Sequence, residues 1–209
     1  MRQKVGRVTP NAVFLNIPYD QGFRSLYLAY IVGLVHLGFE PRVTLGLPGG
    51  TRRLDKILEV IQGCSYSIHD LSRVELDRKP PFATPRFNMP FELGLAVASA
   101  HVDSAPHDWF VFETVHRRAS KSLSDLSGTD PNVHCGTVEG VMRELCNAFV
   151  LQPPRERISV DEMMMTYRIV SGRVEEILRK TRAKSLFEKS VFKLLYSTAV
   201  NAAISPYNH

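Results

Sequence analysis

Short apolar runs alternate with amphipathic stretches along most of the chain. The first run, NAVFLNI over residues 11–17, lies between Pro10 and Pro18. It lacks the in–out alternation of a half-exposed strand, and so predicts a strand covered on both faces, as in a parallel sheet. A polar turn over 18–24 leads to a helix over 25–37, which Gly38 ends. FEPRVTLGL (39–47) predicts a second strand, and Pro48-Gly49-Gly50 a turn. Leu54, Ile57, Leu58, Val60 and Ile61 recur at near-helical spacing, so a second helix is expected from Thr51 to Gly63. YSIHDL (66–71) reads as the third strand, the polar stretch 72–88 as a long loop, and 89–101 as a third helix. WFVFE (109–113) is the fourth strand. The basic, serine-rich stretch 114–131 predicts no firm element, 132–136 a short fifth strand and 137–151 a helix. Beyond Pro153-Pro154, two helices are expected. One covers 160–181 behind Ser159; the other covers 186–204 and opens on Ser185-Leu186-Phe187-Glu188, a capping-box pattern.

This rhythm implies right-handed crossovers. The expected fold is a Rossmann-like (flavodoxin-like) α/β domain over 1–152. Its parallel sheet of about five strands carries helices on both faces, and a C-terminal helical hairpin follows over 153–209. No internal repeat is visible.

Composition narrows the function classes. The chain has 209 residues, of which 44% are hydrophobic and 22% charged, enough to bury a core without staples. Three cysteines without CxxC spacing predict reduced thiols and a cytoplasmic setting. No signal-peptide core and no membrane-length apolar run is read, so no membrane partner is expected. The net charge is +5, with basic clusters at Arg117-Arg118 and over 155–189. No zinc-finger or RNA-recognition signature accompanies them, so no specific nucleic acid is expected.

In open α/β sheets, ligands sit outside the carboxyl ends of the strands. Around the first strand's end stand Asn16, Pro18, Tyr19, Asp20 and Arg24. Around the third stand His69, Asp70, Ser72 and Arg73. The third helix is entered through Arg86, Phe87 and Asn88. Over MPFELGLAVASAHV it has one carboxylate, Glu92, in a sequence that reads apolar nearly all round. Such a helix should be buried, with Gly94, Ala96, Ala98 and Ala100 allowing close packing. Pro90 fits the first helical position with Met89 as N-cap, which puts Glu92 in the first turn, where the helix dipole favours its ionised form. A lone carboxylate there either reaches back to its own helix's free amides or serves a ligand.

The pattern SIHDLSRV…PRFNMPFELGLAVA resembles the superfamily that joins nucleoside 2-deoxyribosyltransferases, deoxynucleotide N-hydrolases and TIR domains. In those enzymes a glutamate of an ELG-type motif opens a helix and attacks the anomeric carbon or serves in NAD cleavage. Glu92, in Phe91-Glu92-Leu93-Gly94-Leu95-Ala96, matches that position, and Asp70 matches the acidic residue after the preceding strand. The first half of the chain also resembles an uncharacterised bacterial family whose members read IHDxSR…PRFNMPxELG. The matching residues are Asn16, Pro18, Asp20, Gly38-Phe39, Pro41-Arg42, Lys56-Ile57, Cys64, Ile68-His69-Asp70, Ser72-Arg73 and 85–94. The chain departs from the transferases in having Asn88-Met89-Pro90-Phe91 where they carry a glycine-containing turn, and in its long basic loop over 72–88.

The resemblance implies a nucleotide, NAD or a relative, held at the sheet's carboxyl edge. Glu92 would act on the N-glycosidic bond, whose cleavage passes through an oxocarbenium-like state that a carboxylate stabilises. Asp70 would position a ribose hydroxyl or the attacking water. Asn16, Tyr19, Asp20, Arg24, Arg73, Arg86 and Asn88 would bind the nucleotide, arginines on phosphate and Tyr19 or Phe87 on the base. Each has a structural alternative: Asp70 capping a loop, Arg73 and Arg86 in surface ion pairs, Tyr19 packing in a turn.

No cofactor and no metal is expected. His134-Cys135 lacks a second pair at metal spacing, and no GxGxxG or complete P-loop is present. Two function classes stay open: an N-glycosidase of the NAD glycohydrolase kind, and a nucleotide-sensing module. The second would signal through the C-terminal helices to a partner protein or a second copy.

Overall fold

The computed structural model describes residues 8–46, 51–74, 76–77, 84–102, 107–121, 123–126, 128–150 and 159–204. Its elements run β1 Thr9–Asn16, α1 Arg24–His36, β2 Glu40–Arg42, α2 Thr51–Gln62, β3 Cys64–Asp70, β4 Leu76–Asp77, β5 Thr84–Pro85, α3 Asn88–Val102, β6 Asp108–Glu113, β7 Asn132–Val133, α4 Val138–Ala148, α5 Val160–Gly172, α6 Val174–Thr181 and α7 Lys189–Ile204.

Five strands form one sheet in the order β2-β1-β3-β6-β7, and β1–β3, β3–β6 and β6–β7 pair in parallel. This is the flavodoxin-like winding, as expected. After β1 the chain winds outward to β2, then returns to the other side of β1 as β3. The switch point therefore lies between the carboxyl ends of β1 and β3.

By their contacts the described residues divide into two compact units, one of residues 8–18 and 42–135, the other of 19–41 and 136–204. In the first, Ala12 and Phe14 of β1 pack with Ile57 and Ile61 of α2, Cys64 of β3 and Ala96 of α3. A second cluster joins Leu71, Met89, Leu93, Val111 and Ala119. Each fully buried side chain of this size contributes roughly 1.5–3 kcal/mol. In the second unit, α1 is buried over Leu26–Leu34 and packs against α4, α5 and α7. A Cβ added at Gly33 would stand 2.5 Å from Leu145 Cδ1, so α1 and α4 approach closely there.

Several boundaries differ from expectation, each for a local reason. β2 spans three residues rather than nine. Pro41 has no N–H to give, and β2 is an edge strand, where that is tolerated. The expected helix over 160–181 is two, because Gly172 favours a break and Arg173 caps both α5 and α6. Ser159 caps α5 as expected, and with Glu162 it forms a full capping box. The capping box expected at Ser185–Glu188 forms only in part and stands before the helix: α7 starts at Lys189 rather than 186, Glu188 Oε1 accepts from Ser185 N at 3.1 Å, but the Ser185 hydroxyl accepts from Phe187 N. The stretch 72–88 contains the antiparallel pair β4–β5, and 114–131 contains short 3-10 turns at Ala119–Lys121 and Ser124–Leu126. The turn expected at residues 48–50 lies outside the described residues.

α3 corrects the sequence reading twice. It starts at Asn88, not after Met89, and its first bond runs from Phe91 N to Phe87 O. Pro90 occupies the third position, still within the turn whose N–H groups have no partner. Glu92 is therefore the fifth helical residue, beyond the first turn. Nor is α3 buried all round: Phe91, Gly94, Ala98 and His101 form an exposed stripe. Small apolar residues satisfy a buried pattern without driving burial. A Cβ at Gly94 meets nothing within 4 Å. Gly94→Ala should thus stabilise the fold by about 0.5–1 kcal/mol through helix propensity alone, read as a higher urea midpoint with an unchanged slope.

Candidate functional site

Asn16 ends β1 and is buried. Its side-chain amide donates to Met89 O at 2.9 Å and to His69 Nδ1 at 2.9 Å. One residue thus ties β1 and β3, the two strands that flank the switch point, to the first turn of α3. Because His69 Nδ1 accepts, its proton sits on Nε2, which donates to Ser67 Oγ at 3.0 Å. The Ser67 hydroxyl donates to His107 Nε2 at 3.0 Å, and His107 Nδ1–H donates to Cys64 O at 2.9 Å. Every donor in this chain meets an acceptor, with both imidazoles neutral. Burial, with a smaller contribution from the neighbouring His107, pushes the His69 pKa down to about 3. The network supports the site.

Asp70 follows His69 and so points to the opposite face of the sheet. It is fully buried. Oδ1 accepts the Ser72 N–H at 2.9 Å, and Oδ2 takes the His134 Nε2–H at 3.1 Å. The Ser72 hydroxyl also lies 3.1 Å from His134 Nε2. The loop-capping alternative for Asp70 is thus present in the structure.

Glu92 behaves otherwise. Its side chain is half-buried on α3, and among the described residues no hydrogen bond to its carboxyl is found. The alternative of capping its own helix is not realised. Burial pushes its pKa up to about 7, opposed by the field of Arg53 near the start of α2. α2 and α3 both start at the carboxyl edge of the sheet, and the two helices are in contact. Such a carboxyl titrates near neutral pH without a fixed partner, as acid–base groups do.

The other expected residues divide by unit. In the first, Asn88 is exposed at the first position of α3, Arg86 is exposed and Arg73 half-buried. Phe87 and Phe91, one helical turn apart, are 67% and 55% exposed. In the second unit, Tyr19 packs against Tyr27 and Phe187, with ring centroids 6.1 and 5.9 Å away. Asp20 O accepts from Phe23 N at 2.9 Å. Arg24, half-buried, pairs with the well-exposed Glu175 at 2.9 Å.

Sequence reasoning missed Arg53, Ser67, His107 and His134 as neighbours of the expected residues. Alternation on β3 puts Ser67 and His69 on one face, which was a usable signal. His107 and His134 lie far away in sequence and carried none. Among the described residues, no three His, Cys, Asp or Glu side chains gather as a metal site, and no helix is long and apolar enough to cross a membrane. Comparisons with protein-family models, curated proteins and solved structures find no match to this chain.

Proposed function

We propose that this chain binds a nucleotide beside the start of α3 and cleaves its N-glycosidic bond with Glu92. The observation that carries the reading is the Glu92 carboxyl itself. It is half-buried, unbonded among described residues and raised to about 7, at the edge where such sheets hold ligands. Burial penalises the charge of such a group, and a bound ligand would offset that cost. Phe87 and Phe91 offer rings for a base to stack on, and Arg86 and Arg73 offer cations for phosphate.

The geometry favours NAD over deoxynucleotides. Asp70 is enclosed with Ser72 and His134, so its role in this reading is to hold the loop after β3, and Glu92 works alone. A single carboxyl suits a substrate whose leaving group needs no proton. In NAD the nicotinamide is already cationic. As the C–N bond breaks, its electron pair goes to the ring nitrogen and neutral nicotinamide departs. Water adds to the anomeric carbon, Glu92 takes its proton, and ADP-ribose remains. Turnover should then rise with pH through about 7, as the free base form accumulates.

The enclosure of Asp70 also favours a second reading, a nucleotide-sensing module that signals to a partner through the C-terminal helices. Incubation with NAD and with deoxynucleoside monophosphates, read by chromatography and by thermal shift, separates the two. Nicotinamide release that falls at least about a thousandfold in Glu92→Gln supports the enzyme. Stabilisation without product supports sensing. No product and no shift with any nucleotide rejects both.

A further inference from the structure

A cavity of about 150 Å³ opens at the carboxyl end of β6. Val111, Leu126 and Thr129 line it, and Arg117 and Asp130 stand exposed beside them. Its remaining polar wall is Glu113, the last residue of β6, which is 1% exposed. Glu113 Oε2 accepts the Ala119 N–H at 2.9 Å. Oε1 is buried, with no hydrogen-bond partner among the described residues. A buried carboxylate oxygen without a donor is unfavourable and persists where something supplies one.

We propose that this cavity binds a small organic ammonium ion whose N–H donates to Glu113 Oε1. Three features set that class. Among the described residues, the charges lining the cavity are two carboxylates, Glu113 and Asp130, and one guanidinium, Arg117, so one positive charge completes them. An ammonium has further N–H groups for the Thr129 hydroxyl and Asp130. Val111 and Leu126 suit a short alkyl body and give nothing to a calcium or magnesium ion, which demands six or more oxygens. A cavity of this volume holds a molecule about the size of benzene, which fits a butylammonium ion. The cavity stands independently of the Glu92 reading, since its test uses no nucleotide.

Titration of the full chain with n-butylammonium chloride, followed by amide NMR, tests the proposal. The Ala119 amide should shift saturably, with a Kd on the order of 1 mM for so small a ligand. Glu113→Gln keeps an acceptor for Ala119 N–H and should weaken binding about tenfold or more. Leu126→Trp fills the cavity, leaves Glu113 intact and should abolish the response, so it decides the matter if the glutamine variant does not fold. Matched potassium or magnesium chloride producing the same shift would assign the site to an inorganic ion and overturn the proposal. An equal shift with n-butanol, or no saturable change at Ala119, would overturn it as well.

Discussion

Glu92→Gln should melt several degrees above the wild type at pH 8 and together with it at pH 4. The folded carboxyl titrates at about 7 against an ordinary 4.5. A raised carboxyl pKa means the folded state holds the proton more tightly than the unfolded one. Its contribution is therefore fully present below pH 4.5 and is lost as pH rises through 7. Glutamine keeps the neutral form at every pH and removes the loss. The side chain is half-buried, so solvent screening reduces the linkage figure to about 1–3 kcal/mol. For a chain of this size that is roughly 2–12 °C in Tm. Calorimetry across pH 4–8 provides the check. A gap of the same size at both ends would mean that packing, not charge, separates the two proteins. A variant that is more stable yet inactive is the usual sign of a residue retained for function.

His69 should have the opposite effect on the pH profile. Its folded pKa, about 3, lies below the ordinary 6.5. The unfolded chain takes up a proton across that interval and the folded chain does not. Stability is thus present above pH 6.5 and lost on acidification towards 3, at about 1.4 kcal/mol per pH unit. Between pH 4.5 and 6.5 the slopes from His69 and Glu92 have opposite signs and largely cancel. In Glu92→Gln the His69 slope should emerge, and stability should climb with pH across that window. In His69→Gln, where the amide oxygen can still accept from Asn16, stability should instead fall with pH. Urea unfolding followed by circular dichroism at half-unit steps measures both slopes. Parallel profiles in the two variants would exclude this account.

Much of the architecture was legible because buried parallel strands advertise themselves. NAVFLNI and WFVFE are continuous apolar runs, and the helices between them carry the longer period. What escaped notice was short or permissive. β4 and β5 have two residues each, too few to show a period. Pro90 tolerates any position in the first turn, so it did not mark where α3 starts. Gly94 and Ala98 made α3 look buried although they face solvent. At the site, the strand-end rule singled out Asn16, Asp70 and Glu92, but not how each is engaged. Asn16 and Asp70 are held in hydrogen-bonded sets whose other members, His107 and His134, lie 91 and 64 residues away in the chain. Glu113 also stands at a strand end and was passed over, because an acidic residue closing an apolar run looks like an ordinary return to solvent.

The central strand has a further property. Along β3, Ser67 and His69 turn to one side and Ile68 and Asp70 to the other, and each polar group meets a dedicated partner. Sliding β3 by one position against its neighbours would strand an imidazole among hydrocarbon and leave a carboxylate facing no donor. Hydrophobicity alone could not prevent such a slip, since a strand apolar on both sides looks much the same either way up. Polarity placed on both sides gives the middle of the sheet a single admissible alignment, and with it a fixed place for Asn16 and Asp70 at its carboxyl edge.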